Sequence, residues 1–249
     1  MNIIEIDNLT HRFADGTIGL ANITLSIRQG SLVVIAGHNG SGKTTLLRHL
    51  NGLLLPTEGK IRLADRPLEE DLLKARQLVG MMFQDADSQI VGETVYEDVA
   101  FGPENLRLDR AEIKKRALRA LRVVGLQDFA DQRPHLLSGG EKRRLAIAGV
   151  LAMEPRVIVF DEPFASLDYP GIRQVLRHIL DLHQSGHTIV VATHDLEKII
   201  AHTERLVLMQ NGRIVRDGSP QEVSSYLEEC GVRKPCAYRM GMEAESWLN

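Results

Sequence analysis

The sequence predicts an α/β chain: a core of mainly parallel sheet, an antiparallel β layer at its N-terminal side and an inserted helical subdomain. Three observations carry this. Short continuous apolar runs at 32–36, 157–160 and 188–192 have the pattern of strands covered on both faces. Ile23, Leu25 and Ile27 alternate with Thr24, Ser26 and Arg28, which is the pattern of a strand buried on one face only. From Asp85 to about residue 154 the apolar spacing turns helical, with Ile113, Ala117, Leu121 and Val124 on one face.

The bulk properties exclude several classes. With 249 residues, 43% of them apolar and 25% charged, the chain has the make-up of a folded globular protein. Thirty basic against thirty-three acidic residues leave a net charge of −3, so no nucleic acid is expected as a partner and any anion must be held locally. Cys230 and Cys236 are not in a C-x-x-C pair, which predicts two free thiols in a reducing compartment. The start, Met1-Asn2-Ile3-Ile4-Glu5, lacks the basic-then-apolar pattern of a leader, and no apolar run approaches the ~18 residues of a membrane span. Work at a membrane would then be done from its cytoplasmic side.

In chain order, residues 3–6 read as a strand, Asp15-Gly16 as a turn and 23–28 as a second strand. Phe13, at the edge of this layer, is open to two readings: a platform for an adenine ring, or one more core aromatic. After strand 32–36 comes Gly37-His38-Asn39-Gly40-Ser41-Gly42-Lys43-Thr44, the spacing G-x-x-x-x-G-K-T between a buried strand and a helix start. Its glycines let the backbone turn with N–H groups inward, while the next helix offers its positive end, so residues 37–45, Thr45 included, form a cradle for phosphate oxygens. Lys43 fits the β- and γ-phosphates and Thr44 the hydroxyl ligand of Mg²⁺.

Leu46, Leu47, Leu50 and Leu54 predict one helical face, and Pro56 with Gly59 leads into a strand at 60–63. A further apolar strand, 79–83, ends at Gln84, by itself an ordinary solvated residue. Asp85, Asp87 and Glu93 read as a polar turn, since no apolar pocket encloses them to separate their pKa values. Asp109 and Glu112 predict a capping box, and Gly125 a helix end.

Leu137-Ser138-Gly139-Gly140-Glu141 also fits a capping box, ahead of a helix carrying Leu145, Ala148 and Ala152. Capping does not call for glycine, and each glycine in the first turn costs up to ~1 kcal/mol relative to alanine. Close backbone approach, with phosphate as the natural candidate, explains the pair. Asp161-Glu162-Pro163 ends strand 157–160, where open α/β sheets bind ligands; Asp161 fits the Mg²⁺ partner of the loop and Glu162 the group that orients or deprotonates water. A helix at 172–183, the turn Ser185-Gly186 and strand 188–192 follow. His194 then stands at the same sheet edge, either touching a γ-phosphate or serving as a capping or core histidine. Strands 206–210 and 213–216, joined by Asn211-Gly212, make a hairpin; beyond Gly218-Ser219-Pro220 lie a short helix and a polar tail with Trp247.

Together and in order, residues 37–44, Gln84, 137–141, 157–162, Ser166-Leu167-Asp168 and His194 resemble the Walker A, Q-loop, signature, Walker B, D-loop and switch histidine of ATP-binding cassette (ABC) ATPases. The resemblance covers about residues 2–220. It implies the ABC ATPase fold, a P-loop NTPase core, divided as 1–84 (core, first part), 85–154 (helical subdomain with the signature), 155–219 (core, second part) and 220–249 (C-terminal helix and tail). It implies ATP and Mg²⁺ as ligands, with Thr44, Gln84 and Asp161 on the metal, Phe13 on adenine, and Lys43, Glu162 and His194 at the reacting phosphate. It also implies a second ATPase subunit, a copy or a close paralogue, whose Ser138, Gly139, Gly140 and Glu141 seal the nucleotide from the opposite side, with Asp168 nearby.

Within the family, residues 83–91 and 94–106, Phe83-Gln84-Asp85-Ala86 and Thr94-Val95-Tyr96-Glu97-Asp98-Val99-Ala100-Phe101-Gly102-Pro103-Glu104-Asn105-Leu106 among them, look like the energy-coupling factor (ECF) importers of vitamins and transition-metal ions. Relatives usually carry Asn-Pro where this chain has Asp85-Ala86. The resemblance implies an integral membrane coupling subunit and a substrate-binding membrane subunit as partners, a place on the cytoplasmic face of the membrane, and cobalt, nickel, biotin or another vitamin as cargo. The alternative, a soluble cassette acting on nucleic acid or ribosomes, goes with tandem cassettes or a long coiled-coil insertion, and neither is present. A regulator that binds ATP without turning it over is opposed by the intact Glu162 and His194.

Overall fold

The computed structural model describes all of Met1–Asn249. Two sheets organise it. Strands β1 (Asn2–Arg12), β2 (Ile18–Arg28), β4 (Glu58–Leu63) and β5 (Arg66–Pro67) form an antiparallel sheet in the order β2-β1-β4-β5. Strands β3 (Leu32–Ala36), β6 (Val79–Met82), β7 (Val157–Asp161), β8 (Thr188–Thr193), β9 (Arg205–Gln210) and β10 (Arg213–Gly218) form the second, in the order β10-β9-β3-β8-β7-β6. All its pairings are parallel except the edge hairpin β9–β10.

The continuous apolar runs have a direct reason. Successive side chains on a strand point to opposite faces. Leu32, Val34 and Ala36 therefore face a core shared with helices α3 (Val95–Asn105), α4 (Arg110–Val123), α5 (Gly139–Ala152) and α6 (Tyr169–Gln184), with α3, α4 and α5 packed against one another. Val33 and Ile35 face the opposite core, shared with the antiparallel sheet and with Leu46, Leu47 and Leu50 of α1 (Lys43–Leu50). Covered on both sides, a strand needs apolar residues at every position.

Several boundaries differ from expectation. β1 and β2 are longer than 3–6 and 23–28, because bulges at Asn8 (φ 51°) and Asn22 (φ 52°) carry the ladder past the break in alternation. α1 stops at Leu50 and Gly52, at φ 70°, turns the chain, so Leu54 lies beyond the helix instead of on its face. Strand β6 ends at Met82, before Phe83. Helix α2 (Leu72–Leu78), capped by Asp71, was not anticipated, being short with only Ala75 buried. The box at Asp109 is half formed: Asp109 accepts from the Glu112 N–H at 2.9 Å, but the Glu112 carboxylate turns to Arg116 (2.8 Å) and Lys115 (3.2 Å), where the bonds are charge-assisted. The box of Ser138 and Glu141 is complete. Gly125 at φ 67° follows the end of α4, and Asn211 (φ 49°) with Gly212 (φ 72°) makes the tight hairpin turn.

The tail does not trail free. Trp247 packs against Tyr169 with ring centroids 5.6 Å apart, Arg173 donates to the Leu248 carbonyl (2.9 Å), and the Cys236 N–H donates to Glu197 (2.9 Å). Both cysteines are free thiols. No helix is long and apolar enough to cross a membrane.

Asp98 is a buried acid whose Oδ1 accepts from the N–H groups of Val91 (2.7 Å) and Gly92 (3.0 Å), pinning the loop before α3. Burial raises its pKa despite those bonds. A carboxyl whose pKa is raised in the folded state loses stability as pH rises from the unfolded-state pKa through the folded-state one, and the full cost stands above the latter. Asp98→Asn, which keeps an acceptor oxygen without the charge, should thus be as stable as the parent or more so at pH 7, the gain shrinking as pH falls. Asp98→Leu, which leaves the Val91 and Gly92 N–H groups without their acceptor, should lose about 1–3 kcal/mol. Urea unfolding followed by circular dichroism from pH 4 to 8 reads both.

Candidate active site

Parallel pairing brings the sequence motifs to one edge of the sheet. Ala36 pairs with Thr193, Asp161 with Ala192 and Met82 with Phe160, so the segments after β3, β7, β8 and β6 leave the sheet side by side. The segments after β3, β6 and β7, together with residues 13–19 and the β9–β10 turn, line a cleft of about 710 Å³ whose lining includes Phe13, Gly40, Lys43, Thr44, Gln84 and Glu162.

The loop between β3 and α1 is shaped by its glycines. A Cβ at Gly37 would lie 2.3 Å from the Ser41 hydroxyl and 2.5 Å from the Met209 carbonyl. Gly42 caps α1 at φ 102° without any side-chain hydrogen bond, which leaves first-turn N–H donors free at the cleft. Three members of the predicted set, Gly37, His38 and Ser41, lie outside the lining of the cleft. The Ser41 hydroxyl is buried inside the loop without a partner and its N–H is taken by the His38 carbonyl (3.1 Å), while His38 turns its Nδ1 onto the Asn39 carbonyl (2.6 Å). The His38 side chain lies instead beside Gly231 of the C-terminal segment. Asn39, Gly40, Gly42, Thr44 and Thr45 do line the cleft.

Three buried charged groups meet at its floor. Lys43 Nζ donates to the carbonyls of Gly37 (2.8 Å) and His38 (3.2 Å) and stands 3.5 Å from Glu162 Oε1. Desolvation lowers the Lys43 pKa against the pull of Glu162, and desolvation raises that of Asp161 against the Thr44 hydroxyl. Asp161 Oδ1 is buried with no partner. Both shifts disfavour the charges present, so an anion placed on Lys43 and a cation placed on Asp161 would each relieve the cost. The oxygen donors of Thr44, Gln84 and Asp161 suit a hard cation such as Mg²⁺.

Glu162 is held by more than the sequence motifs suggested. Its backbone adopts φ 48°, in the left-handed region. Its Oε2 accepts from the Thr193 hydroxyl (3.0 Å) and its Oε1 from the His194 backbone N–H (3.0 Å) and from His194 Nδ1 (2.8 Å). A carboxylate only accepts, so His194 Nδ1 carries a proton here, and this side chain, half exposed, is aimed at Glu162.

Thr193 and Arg143 belong to none of the sequence patterns that mark the site, yet both hold it together. The Arg143 guanidinium is buried and donates to the carbonyls of Gln84 (2.9 Å), Pro163 and Ala165 (3.0 Å), tying α5 to the segments after β6 and β7. Basic residues in the first turns of a helix read as solvated, and no local signal distinguishes Arg143 from its neighbours.

Ser138, Gly139, Gly140, Glu141 and Asp168 do not line this cleft. Asp168 caps α6 through the Gly171 N–H (3.0 Å), and a Cβ at Gly139 or Gly140 would meet nothing within 4 Å.

The model of the ABC transporter family matches residues 20–165. The chain belongs to that family. It is 43% identical over 231 residues to the energy-coupling factor transporter ATP-binding protein EcfA of Methanocaldococcus jannaschii, covering 92% of this chain and 83% of the relative. It is 42% identical to EcfA1 of Clostridioides difficile, over 94% of this chain and 88% of the relative. Among solved structures, cbiO1 from Clostridium perfringens, described as part of the ABC transporter complex cbiONQ, superposes with TM-score 0.82 at 36% identity, over 96% of this chain and 97% of that one. A dimeric ATP-binding cassette in a post-hydrolysis state, bound to ADP and Pi, superposes with TM-score 0.77 at 31% identity, over 87% and 98%. The cassette is thus an ATPase that uses ATP with Mg²⁺, an ATP-binding subunit of the energy-coupling factor group, with the ABC fold the resemblance implied.

Gly37→Ala should deform the phosphate loop, since neither the Ser41 hydroxyl inside it nor the Met209 backbone can give way by an ångström. ATP affinity by titration calorimetry should fall at least about tenfold, equivalent to about 1.4 kcal/mol.

Proposed function

We propose that the cassette couples ATP binding and hydrolysis, in a dimer, to uptake of a transition-metal ion or a vitamin through membrane partners. The carrying observation is the pair Gly139 and Gly140: two first-turn glycines with no atom of their own chain above them. Alanine would be the better helix former there, so the open space fits a ligand brought by another molecule. A second cassette, arranged head to tail, would bring the triphosphate held by its own loop. In that reading the core segments 1–84 and 155–219 grip the nucleotide and the helical segment 85–154 presents the sealing corner with Ser138, Glu141 and, nearby, Asp168.

The chemistry then follows from the floor of the cleft. Lys43 and the free N–H groups of α1 bind the β- and γ-phosphate oxygens, and Phe13 stacks on the base. Phosphate competes with Glu162 for Lys43, which frees the carboxylate. Glu162, steadied by Thr193 and the His194 N–H, accepts the proton of a water whose oxygen forms the new bond to the γ-phosphorus as the bond to the β-phosphate oxygen breaks. His194 holds the carboxylate and the attacking water in line. Thr44, Gln84 and Asp161 would hold Mg²⁺, which would supply charge neutralisation at the phosphates.

The partners of this reading are a copy or close paralogue of the chain, an integral membrane coupling subunit and a substrate-binding membrane subunit. The cassette would sit peripherally on the cytoplasmic face, with residues 84–106 toward the coupling subunit. The ECF-like sequence at 83–106 and relatives bearing the energy-coupling factor name support this, and the cargo classes are cobalt or nickel ions and biotin or another vitamin.

Glu162→Gln keeps size and removes the base. Turnover should fall about 10²–10⁴-fold, with an ATP-dependent dimer accumulating on size-exclusion chromatography; parental rates would contradict the assignment. Gly140→Ala should leave thermal stability unchanged or raise it by up to ~1 kcal/mol, keep ATP binding to the monomer and abolish hydrolysis. A Gly140→Ala protein with normal hydrolysis would exclude the shared site.

A further inference from the structure

His11 and His49 form a buried pair that none of the steps above uses. Phe13 lies at the mouth of the cleft against Gly19, where a Cβ would come within 2.6 Å of the ring. His11 meets that ring edge-on, with centroids 4.8 Å apart and an interplanar angle of 85°. His49, on α1, is fully buried, and its Nδ1 lies 2.7 Å from the Thr45 carbonyl oxygen. A carbonyl can only accept, so this nitrogen bears the proton. Burial holds His49 below the ordinary histidine range, the ring is neutral at pH 7, and its Nε2 is an acceptor. His11 Nδ1, at 3.2 Å from that Nε2 and 3.3 Å from the Leu55 carbonyl, must then be the donor to both.

The hydrogen bonds thus run in one direction, from Phe13's neighbour His11 to His49 and on to the backbone of the phosphate-binding helix. An apolar pair would fill the same space without two imidazoles to desolvate, and a hydrogen-bonded pair fixes one geometry where apolar contacts allow several. We propose that His11 and His49 are positioning residues that hold the Phe13 ring at a set distance and angle from the phosphate loop, so that the base and phosphate ends of the cleft match the span of a nucleoside triphosphate. The inference rests on the reading of Phe13 as the base platform.

The test is calorimetric titration of the full chain with Mg²⁺ present, using two probes: ATP and inorganic tripolyphosphate, which has no base. His11→Leu should weaken ATP about three- to tenfold and leave tripolyphosphate unchanged. His11→Asn, whose side-chain N–H replaces the Nδ1 donor, should recover the loss. Circular dichroism melting confirms that each variant is folded. Equal weakening of both probes by His11→Leu, no weakening of ATP, or a loss that His11→Asn does not recover would each overturn the proposal. Phe13→Ala separates the two layers of inference. If it weakens ATP alone while His11→Leu does nothing, the relay is wrong and the platform stands; if Phe13→Ala binds ATP as the parent does, the platform reading itself fails.

Discussion

Everything in this cassette is arranged to keep three charges out of water at one spot. Lys43, Asp161 and Glu162 are each nine-tenths or more buried, and none is fully neutralised by the others. Burying charge costs several kcal/mol per group unless partners meet it, so the surrounding structure has to hold the groups where they would not settle by themselves. The parallel sheet does this by delivering Ala36, Asp161 and Thr193 to one edge through a fixed register. The glycine loop does it by wrapping its carbonyls around Lys43. The site is therefore poised toward an anion and a cation together, the combination that a nucleotide with Mg²⁺ supplies.

The same logic explains why the motifs behave as one device. Glu162 hangs from Thr193 and His194, so the segment after β8 sets the direction of the carboxylate at the end of β7. Arg143 clamps α5 to the carbonyls of Gln84, Pro163 and Ala165, so the helix that begins with the signature glycines cannot shift without pulling on the segments after β6 and β7. The tail, through Trp247 on Tyr169 and Cys236 on Glu197, adds weight just downstream of Asp168 and His194. A change in nucleotide occupancy thereby has a physical route to the outer face of the helical segment, where membrane partners are proposed to dock.

Local rules fail most clearly at Gly139 and Gly140. A helix start with a complete capping box has no use for two glycines, and the folded chain offers no neighbour to excuse them. Sites where local preference and structure disagree without internal compensation are those where function sets the residue. In the proposed dimer the missing neighbour is the nucleotide carried by the second cassette.

Much of this was legible in the sequence by itself. Runs of apolar residues marked which strands are covered on both faces, and the motifs with their flanking strands pointed to the segments that line the cleft, because strand period and loop spacing are short-range properties. Only the tertiary structure decided the rest. It showed Ser41 and His38 outside the lining of the cleft, Thr193 and Arg143 holding groups far away in sequence, and His11 bonded to His49 across 38 residues. The reason is physical: a hydrogen bond between distant segments leaves no period and no spacing in the chain, and it exists only once the sheet register has brought its partners within about 3 Å.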